Sequence, residues 1–170
     1  MAYKCVPFLK QKLFSDLHLR NQIMKKALLE FCWKHVNERT DRLKKQSDEL
    51  QESLGSETKS SAGDKHETGR AMVQLEQEKL GQQLQELEAT RSILKKINIE
   101  KPSDKIRLGS LVKTSMADYF IAISAGAFNH DQGIVYCISA NAPIAKLLIG
   151  KEKGENFVFN GKGQSILGIF

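Results

Sequence analysis

Two stretches of this chain repeat an apolar residue at every seventh position, and a polar segment separates them. A heptad spacing predicts two long helices, each with one apolar stripe. The connecting residues 55–67 are rich in Gly, Ser and Thr. We therefore predict an antiparallel helical hairpin within a monomer, although a leucine stripe is also typical of dimerisation. The predicted stripe residues are Leu29, Val36, Leu43, Leu50, Val73, Leu80, Leu87 and Leu94.

The predicted helices cover residues 21–54 and 65–97. Pro7 argues against an earlier start, because proline lacks a backbone N–H and clashes with the preceding turn of a helix. Residues 1–20 are therefore predicted to form an irregular arm. Gly55 is typical of a helix end. The predicted coiled-coil domain spans residues 21–99.

After Pro102 the apolar period changes from seven to two, which predicts short strands bounded by turns. Residues 129–133 resemble a hairpin loop, and Pro143 is placed to open a short helix over residues 143–149. The predicted fold class is α+β, with the helical hairpin followed by a small antiparallel-sheet domain over residues 103–170. The predicted strands are 106–114, 119–124, 133–139, 156–160 and 165–170.

Charge and cysteine content narrow the function classes only slightly. The net charge of +6 favours an acidic or nucleic-acid partner, but 20 acids are mixed among 26 bases. Lys44 and Lys45 are candidates for RNA contact, with a solvated charged face as the simpler interpretation.

The three cysteines form no C-x-x-C pair, so neither a disulfide framework nor a zinc site is predicted. No apolar run reaches the ~20 residues of a membrane span. We expect a cytoplasmic protein without membrane contact.

Asp64 and Glu67 stand where the chain turns back between the helices. Their spacing is typical of a capping box, in which two side chains satisfy free N–H groups at a helix start. The same pair could supply carboxylate oxygens to Mg²⁺, a metal often bound through one or two carboxylates and the oxygens of a substrate. Both interpretations remain open. His66, between them, is not expected to be a ligand.

The other candidate motifs give little indication of a catalytic or ligand-binding site. His130 and Asp131 lie in the predicted hairpin loop without a nucleophile nearby in sequence. Residues 161–165, Gly-Lys-Gly-Gln-Ser, depart from the phosphate-binding loop pattern at both ends. No catalytic triad is legible, so an autonomous hydrolase is not predicted.

Residues 138–155 read Ile-Ser-Ala-Asn-Ala-Pro-Ile-Ala-Lys-Leu-Leu-Ile-Gly-Lys-Glu-Lys-Gly-Glu. This segment resembles the signature of the bacterial transcript cleavage factors, the GreA/GreB family. Residues 108–112, Leu-Gly-Ser-Leu-Val, are similar to the opening strand of the same domain in that family. Gly63-Asp64-x-x-Glu67 matches the acidic motif at the family's hairpin tip. The resemblance extends over about residues 22–170.

The resemblance implies an accessory factor rather than an enzyme. Its FKBP-like C-terminal domain would dock on bacterial RNA polymerase, and its coiled coil would enter the secondary channel. Asp64 and Glu67 would share a Mg²⁺ with the polymerase, which itself cleaves the 3′ end of backtracked nascent RNA. The protein would hold no cofactor of its own. The implied docking residues are Ala142, Pro143, Ile144, Leu147 and Gly150.

Departures from the family pattern keep two alternatives open. Ala142 and Glu155 replace a serine and an aspartate, and residues 68–71 read Thr-Gly-Arg-Ala instead of Asn-Ala-Glu-Tyr. The second departure follows the acidic pair, and it favours a channel-occupying regulator without cleavage activity. An FKBP-like fold also raises peptidyl-prolyl isomerisation, but fold does not imply function. Trp33, the sole tryptophan, lies in the predicted coiled coil, so we expect no isomerase activity.

Overall fold

The computed structural model describes the backbone of residues 6–57 and 65–170 and the side chains of residues 18–53, 69 and 71–170. The fold is α+β: two long helices precede a mostly antiparallel six-stranded sheet and one short helix, as predicted. The elements are α1 (Val6–Glu57), α2 (Lys65–Lys95), β1 (Leu111–Thr114), β2 (Asp118–Ala122), β3 (Gly126–His130), β4 (Gly133–Ser139), α3 (Pro143–Leu148), β5 (Asn156–Phe159) and β6 (Lys162–Ile169).

Contacts divide the chain into two compact units. The helical unit consists of Trp33–Ser92. The sheet unit contains Ile93–Phe170 together with the part of α1 that ends at Cys32. The N-terminal part of α1, up to Cys32, thus packs with the sheet, and the predicted domain boundaries stay a prediction from sequence composition.

Within the helical unit, α1 and α2 run antiparallel. Arg91 Nη2 donates a hydrogen bond to Asn37 Oδ1 at 2.7 Å. Further along α1, Leu50 lines a shallow cleft together with Glu76 and Leu80 of α2. Higher residue numbers on α1 thus face lower numbers on α2, which is the arrangement of a helical hairpin.

The heptad stripe forms the buried seam of this unit. Val36, Leu43, Leu80 and Leu87 are each at most 7% exposed, while Leu50 and Val73 are half-buried. Thr40 is also buried, and its hydroxyl donates to the carbonyl oxygen of Val36 at 2.8 Å. A buried hydroxyl that bonds within its own helix costs little, because its polar atom is satisfied.

The predicted limits of the first helix are wrong at both ends. Helix α1 covers Val6–Glu57 and therefore includes residues 6–20, which were predicted to form an irregular arm. It also includes Gly55, which was predicted to end it; a glycine within a helix costs only about 1 kcal/mol relative to alanine. Helix α2 covers Lys65–Lys95, within the predicted range of residues 65–97.

The sheet has the strand order β3-β4-β2-β1-β6-β5. Every pair is antiparallel except β2 with β4, which the sequence prediction did not anticipate. Strand β3 was also missed, although the hairpin that joins it to β4 was predicted. The β5–β6 hairpin turns at Asn160 and Gly161, both with positive φ, as a tight Asn-Gly turn requires.

Helix α3 covers one face of the sheet. Its buried residues pack with alternate residues of β1, β2, β5 and β6, because alternate side chains of a strand point to the same face. This cluster is the main apolar core of the sheet unit. It contains Ile106, Val112, Ile121, Ile144, Ala145, Leu148, Phe157 and Ile166.

The N-terminal part of α1, up to Cys32, covers the opposite face of the sheet. Phe31 packs edge-on against Phe128 of β3, with ring centroids 5.4 Å apart. Cys32 of α1 and Cys137 of β4 are both buried and carry free thiols. Their interaction raises the pKa of Cys137 and lowers the pKa of Cys32, so these two side chains are coupled across the face that α1 covers. Within the described part of the chain, no helix is long and apolar enough to cross a membrane.

Replacing Leu87 with alanine tests the hairpin seam. Leu87 is 7% exposed on α2. Its truncation should therefore lower the free energy of unfolding by about 2–3 kcal/mol. Leu75 on the same helix is 68% exposed. Leu75→Ala should change the free energy of unfolding by less than about 0.5 kcal/mol. Denaturant unfolding followed by circular dichroism measures both, and equal effects of the two changes would contradict the seam.

Candidate partner-docking surface

The predicted acidic tip lies outside the described residues. Asp64 is not among the described residues, and Glu67 is described only as part of the backbone of α2. The Mg²⁺-binding role of Asp64 and Glu67 therefore remains a prediction from the sequence. The predicted docking residues, in contrast, are all described.

Helix α3 starts with an extended residue followed by proline. Ala142 has φ −60° and ψ 144°. This extended conformation is favoured before a proline. The N–H of Ala142 donates to the carbonyl oxygen of Ser139 at 3.0 Å, and its own carbonyl accepts from Lys146 N at 3.1 Å. Proline at the first helical position needs no N–H partner. No side chain caps this helix start.

Only part of α3 faces solvent. Ile144 is 6% exposed and packs in the core, so it can support docking only by holding the helix in place. Leu147 is 40% exposed, Pro143 is exposed, and Ala142 is half-buried. Pro143, Leu147 and Ile149 are thus the exposed apolar residues of this segment.

Two glycines shape the chain after α3. Gly150 has φ +86°, and its N–H donates to the carbonyl oxygen of Ile106 at 2.8 Å. Gly154 has φ +92°, and its N–H donates to the carbonyl oxygen of Ile166 at 2.8 Å. Residues with a Cβ rarely adopt such φ values. The glycines of the quoted signature therefore have a backbone role here.

Glu155 stabilises the turn that precedes β5. Its carboxylate accepts hydrogen bonds from Glu152 N at 2.6 Å and from Lys151 Nζ at 2.9 Å. The backbone hydrogen bond and then the lysine hold the pKa of Glu155 below its usual value. Glutamate at this position, in place of the family's aspartate, thus still binds the loop backbone.

Partly exposed apolar side chains also lie on the α3 side of the sheet. Tyr119 of β2 and Tyr136 of β4 are partners in the parallel pair, with ring centroids 6.1 Å apart. Tyr119 also packs against the core beneath α3. Ile134 is 46% exposed. It lies two residues before Tyr136 and therefore shares its face. We call Tyr119, Ile134, Tyr136, Pro143 and Leu147 the docking face.

Comparisons with known proteins give a limited result. No protein-family model and no curated protein matches this chain. Among solved structures, it is similar to GreA factor homolog 1 (Gfh1) of Thermus thermophilus, with 20% sequence identity and a TM-score of 0.34 over 81% of this chain and 94% of that chain. It is also similar to Gfh1 of Thermus aquaticus, with 17% identity and a TM-score of 0.31 over 82% and 94% of the two chains.

TM-scores this low do not establish a shared fold. The functional interpretation therefore depends on the residues of this chain and on the geometry of the sheet unit.

Sequence reasoning missed the sheet part of the docking face. The signal was present in β4, where residues 134–138 read Ile-Val-Tyr-Cys-Ile and are apolar on both faces. Val135 and Cys137 are buried, whereas Ile134 and Tyr136 are 46% and 41% exposed. An apolar strand that leaves one face partly open marks a surface available to a partner.

The other candidate functional residues of the sequence have structural roles. His130 Nδ1 accepts a hydrogen bond from Gln132 N at 3.2 Å, and its ring stacks on Phe128, so His130 serves the β3–β4 turn. Residues 161–165 belong to the β5–β6 hairpin. Among the residues whose side chains are described, no three His, Cys, Asp or Glu side chains are grouped to hold a metal.

Gly150→Ala tests the backbone requirement of the segment. Gly150 has a positive φ, although a Cβ added there would meet no other atom. An alanine in this conformation is strained by about 1–2 kcal/mol, and the free energy of unfolding should fall by that amount. Gly163 in β6 also has open space but no positive φ. Gly163→Ala should leave stability unchanged or raise it by up to about 1 kcal/mol. If both variants lost stability equally in denaturant unfolding, φ would not be the cause.

Proposed function

We propose that this protein is a Gre-like accessory factor of bacterial RNA polymerase. In this proposal, the sheet unit binds the polymerase through the docking face, and the helical hairpin enters the secondary channel. Asp64 and Glu67 then assist cleavage of backtracked RNA by the polymerase's own active site. The observation that carries the proposal is the similarity of residues 138–155 to the family signature, together with the structural role of its glycines.

Three features of the docking face support a protein partner. Leu147 and Tyr136 are large side chains that are each about 40% exposed. Tyr136 contacts Tyr119, which packs against the core. Leu147 is carried by α3, whose residues Ile144 and Leu148 are in that core, so the surface is held in shape before binding. Aromatic and aliphatic groups of this kind are typical anchors of protein interfaces.

The hairpin supports the second part of the proposal. Its seam is narrow, and most outward positions of α1 and α2 are polar or charged, as a helical pair surrounded by water requires. Its connector carries two carboxylates close together in sequence. A factor that only completes a metal site in another protein needs no full catalytic set of its own.

Transcript cleavage tests the tip acids. Wild-type protein added with Mg²⁺ to a stalled, backtracked polymerase from the same organism should accelerate shortening of the RNA. The double variant Asp64→Ala/Glu67→Ala should remove this acceleration, because it removes the proposed oxygen ligands. The cost to stability should be at most about 1–2 kcal/mol, since the pair can also cap α2.

The matched control is Asp48→Ala/Glu49→Ala, which removes two exposed acids of α1 and changes the net charge equally. Cleavage should persist with this control. Equal cleavage by the tip variant and the wild type would contradict the role of Asp64 and Glu67.

A second candidate function is a regulator that occupies the same channel without supporting cleavage. The residues Thr68-Gly69-Arg70-Ala71 after the tip acids favour it. It predicts polymerase binding with unchanged or reduced RNA cleavage by the wild-type protein. Asp64 and Glu67 would then serve chiefly as a helix cap.

Leu147→Asp tests the docking face. A carboxylate at the centre of an apolar contact is desolvated without a partner, so affinity for polymerase should fall by about tenfold or more. Val158 on β5 is 64% exposed. Its side chain points to the opposite side of the strand from the buried Phe157, so Val158→Asp should leave affinity unchanged. Titration of labelled protein with polymerase measures both, and undiminished binding of Leu147→Asp would exclude this surface.

A further inference from the structure

A cavity of about 350 Å³ lies between α1 and the end of β6 within the sheet unit. We call it the α1–β6 cavity. Helix α1 contributes a polar wall that includes His18, Asn21 and Lys25. The opposite wall is apolar and contains Leu167, Ile169 and Phe170. Its volume is at the lower end of the range typical of small-molecule sites.

One side-chain donor on the polar wall is buried without an acceptor, and a buried lysine lies one helical turn away. Lys25 is only 4% exposed. Asn21 Nδ2 is buried and makes no hydrogen bond. Residues four apart on a helix lie on the same side, so these two donors are neighbours. Buried donors without acceptors are rare and call for an explanation.

The charges around Lys25 are also unbalanced. Burial, and then the positive charge of Arg107, lower the pKa of Lys25 to about 8. Among the described residues, no carboxylate forms a salt bridge with Lys25. Lys153 adds a second cation to the cavity lining, and Asp104 is its one acidic side chain among the described residues. An anion would offset the positive charge of Lys25 and accept a hydrogen bond from the unpartnered Asn21 Nδ2.

We propose that the α1–β6 cavity binds a small organic phosphate, with its phosphoryl group on Lys25 and Asn21 and its apolar or ring-bearing body against Leu167, Ile169 and Phe170. Phosphate oxygens accept several hydrogen bonds at once, which suits a wall built from donors. The apolar wall distinguishes this site from a general cationic surface. The proposal does not depend on polymerase binding.

Calorimetric titration of the full chain at pH 7 tests the proposal with three probes: a nucleoside 5′-monophosphate, inorganic phosphate and the unphosphorylated nucleoside. The monophosphate should bind most tightly, inorganic phosphate more weakly, and the nucleoside least. Absence of heat from both phosphates up to about 10 mM would overturn the proposal. Equal binding of nucleoside and monophosphate would overturn the phosphoryl assignment.

Lys25→Met removes the buried charge while retaining the length of the side chain. Affinity for the monophosphate should fall by about tenfold or more, because a charge-assisted hydrogen bond is lost. Lys26 is the next residue and is exposed, so Lys26→Met is a matched control that should bind normally. Loss of binding in both variants, or in neither, would contradict a site at Lys25. The Lys25→Met variant should fold, because removing a buried unpaired charge does not weaken the core.

The pH dependence of binding gives an independent readout. A bound anion favours the ammonium form of Lys25, so affinity should be constant between about pH 7 and pH 8 and decline above about pH 8. His18, Asp104, Arg107 and Lys153 are the other charged or titratable side chains around the cavity. Above pH 7 the second ionisation of a phosphate monoester, near about 6, is complete and does not contribute. An unchanged decline in Lys25→Met would assign the titration to another group and refute the proposal.

Discussion

The sheet unit depends on covering both faces of its central strands. Phe120 and Ile121 are consecutive residues of β2, and neither has measurable exposure. Because successive side chains of a strand point to opposite faces, one layer cannot bury both. Helix α3 covers the face of Ile121, and contacts from α1 reach the other face through Phe31 and Cys32. The N-terminal part of α1, up to Cys32, therefore belongs to the core of the sheet unit.

This layered arrangement separates the functions of the sheet unit. The α3 side presents the docking face, whose exposed side chains are supported by a buried cluster. The α1 side holds the α1–β6 cavity, where Asn21 and Lys25 are carried on the same helix that covers the sheet. A rigid scaffold supports each surface. A substitution of one exposed or cavity-lining side chain can therefore change either surface without removing core packing.

Polar residues in buried positions have two different physical explanations. Thr40 is satisfied, because its hydroxyl bonds a carbonyl of its own helix. Asn21 is not satisfied, and Lys25 is buried close to a further positive charge. A satisfied buried polar group is compatible with a purely structural role, whereas the unsatisfied donor beside the cavity is the basis of the proposed ligand site. That contrast makes the α1–β6 cavity different from the seam of the helical unit.

The sequence by itself determined the α+β class, the two heptad seams and the short helix after Pro143, because these depend on local periodicity and on proline at a helix start. It also located the acids Asp64 and Glu67, whose role stays a prediction. Only the tertiary structure decided that β2 and β4 are parallel, that Ile144 is buried while Tyr136 is exposed, and that Lys25 lines a cavity. Strand pairing and burial join residues distant along the chain, and no local pattern encodes which of them meet.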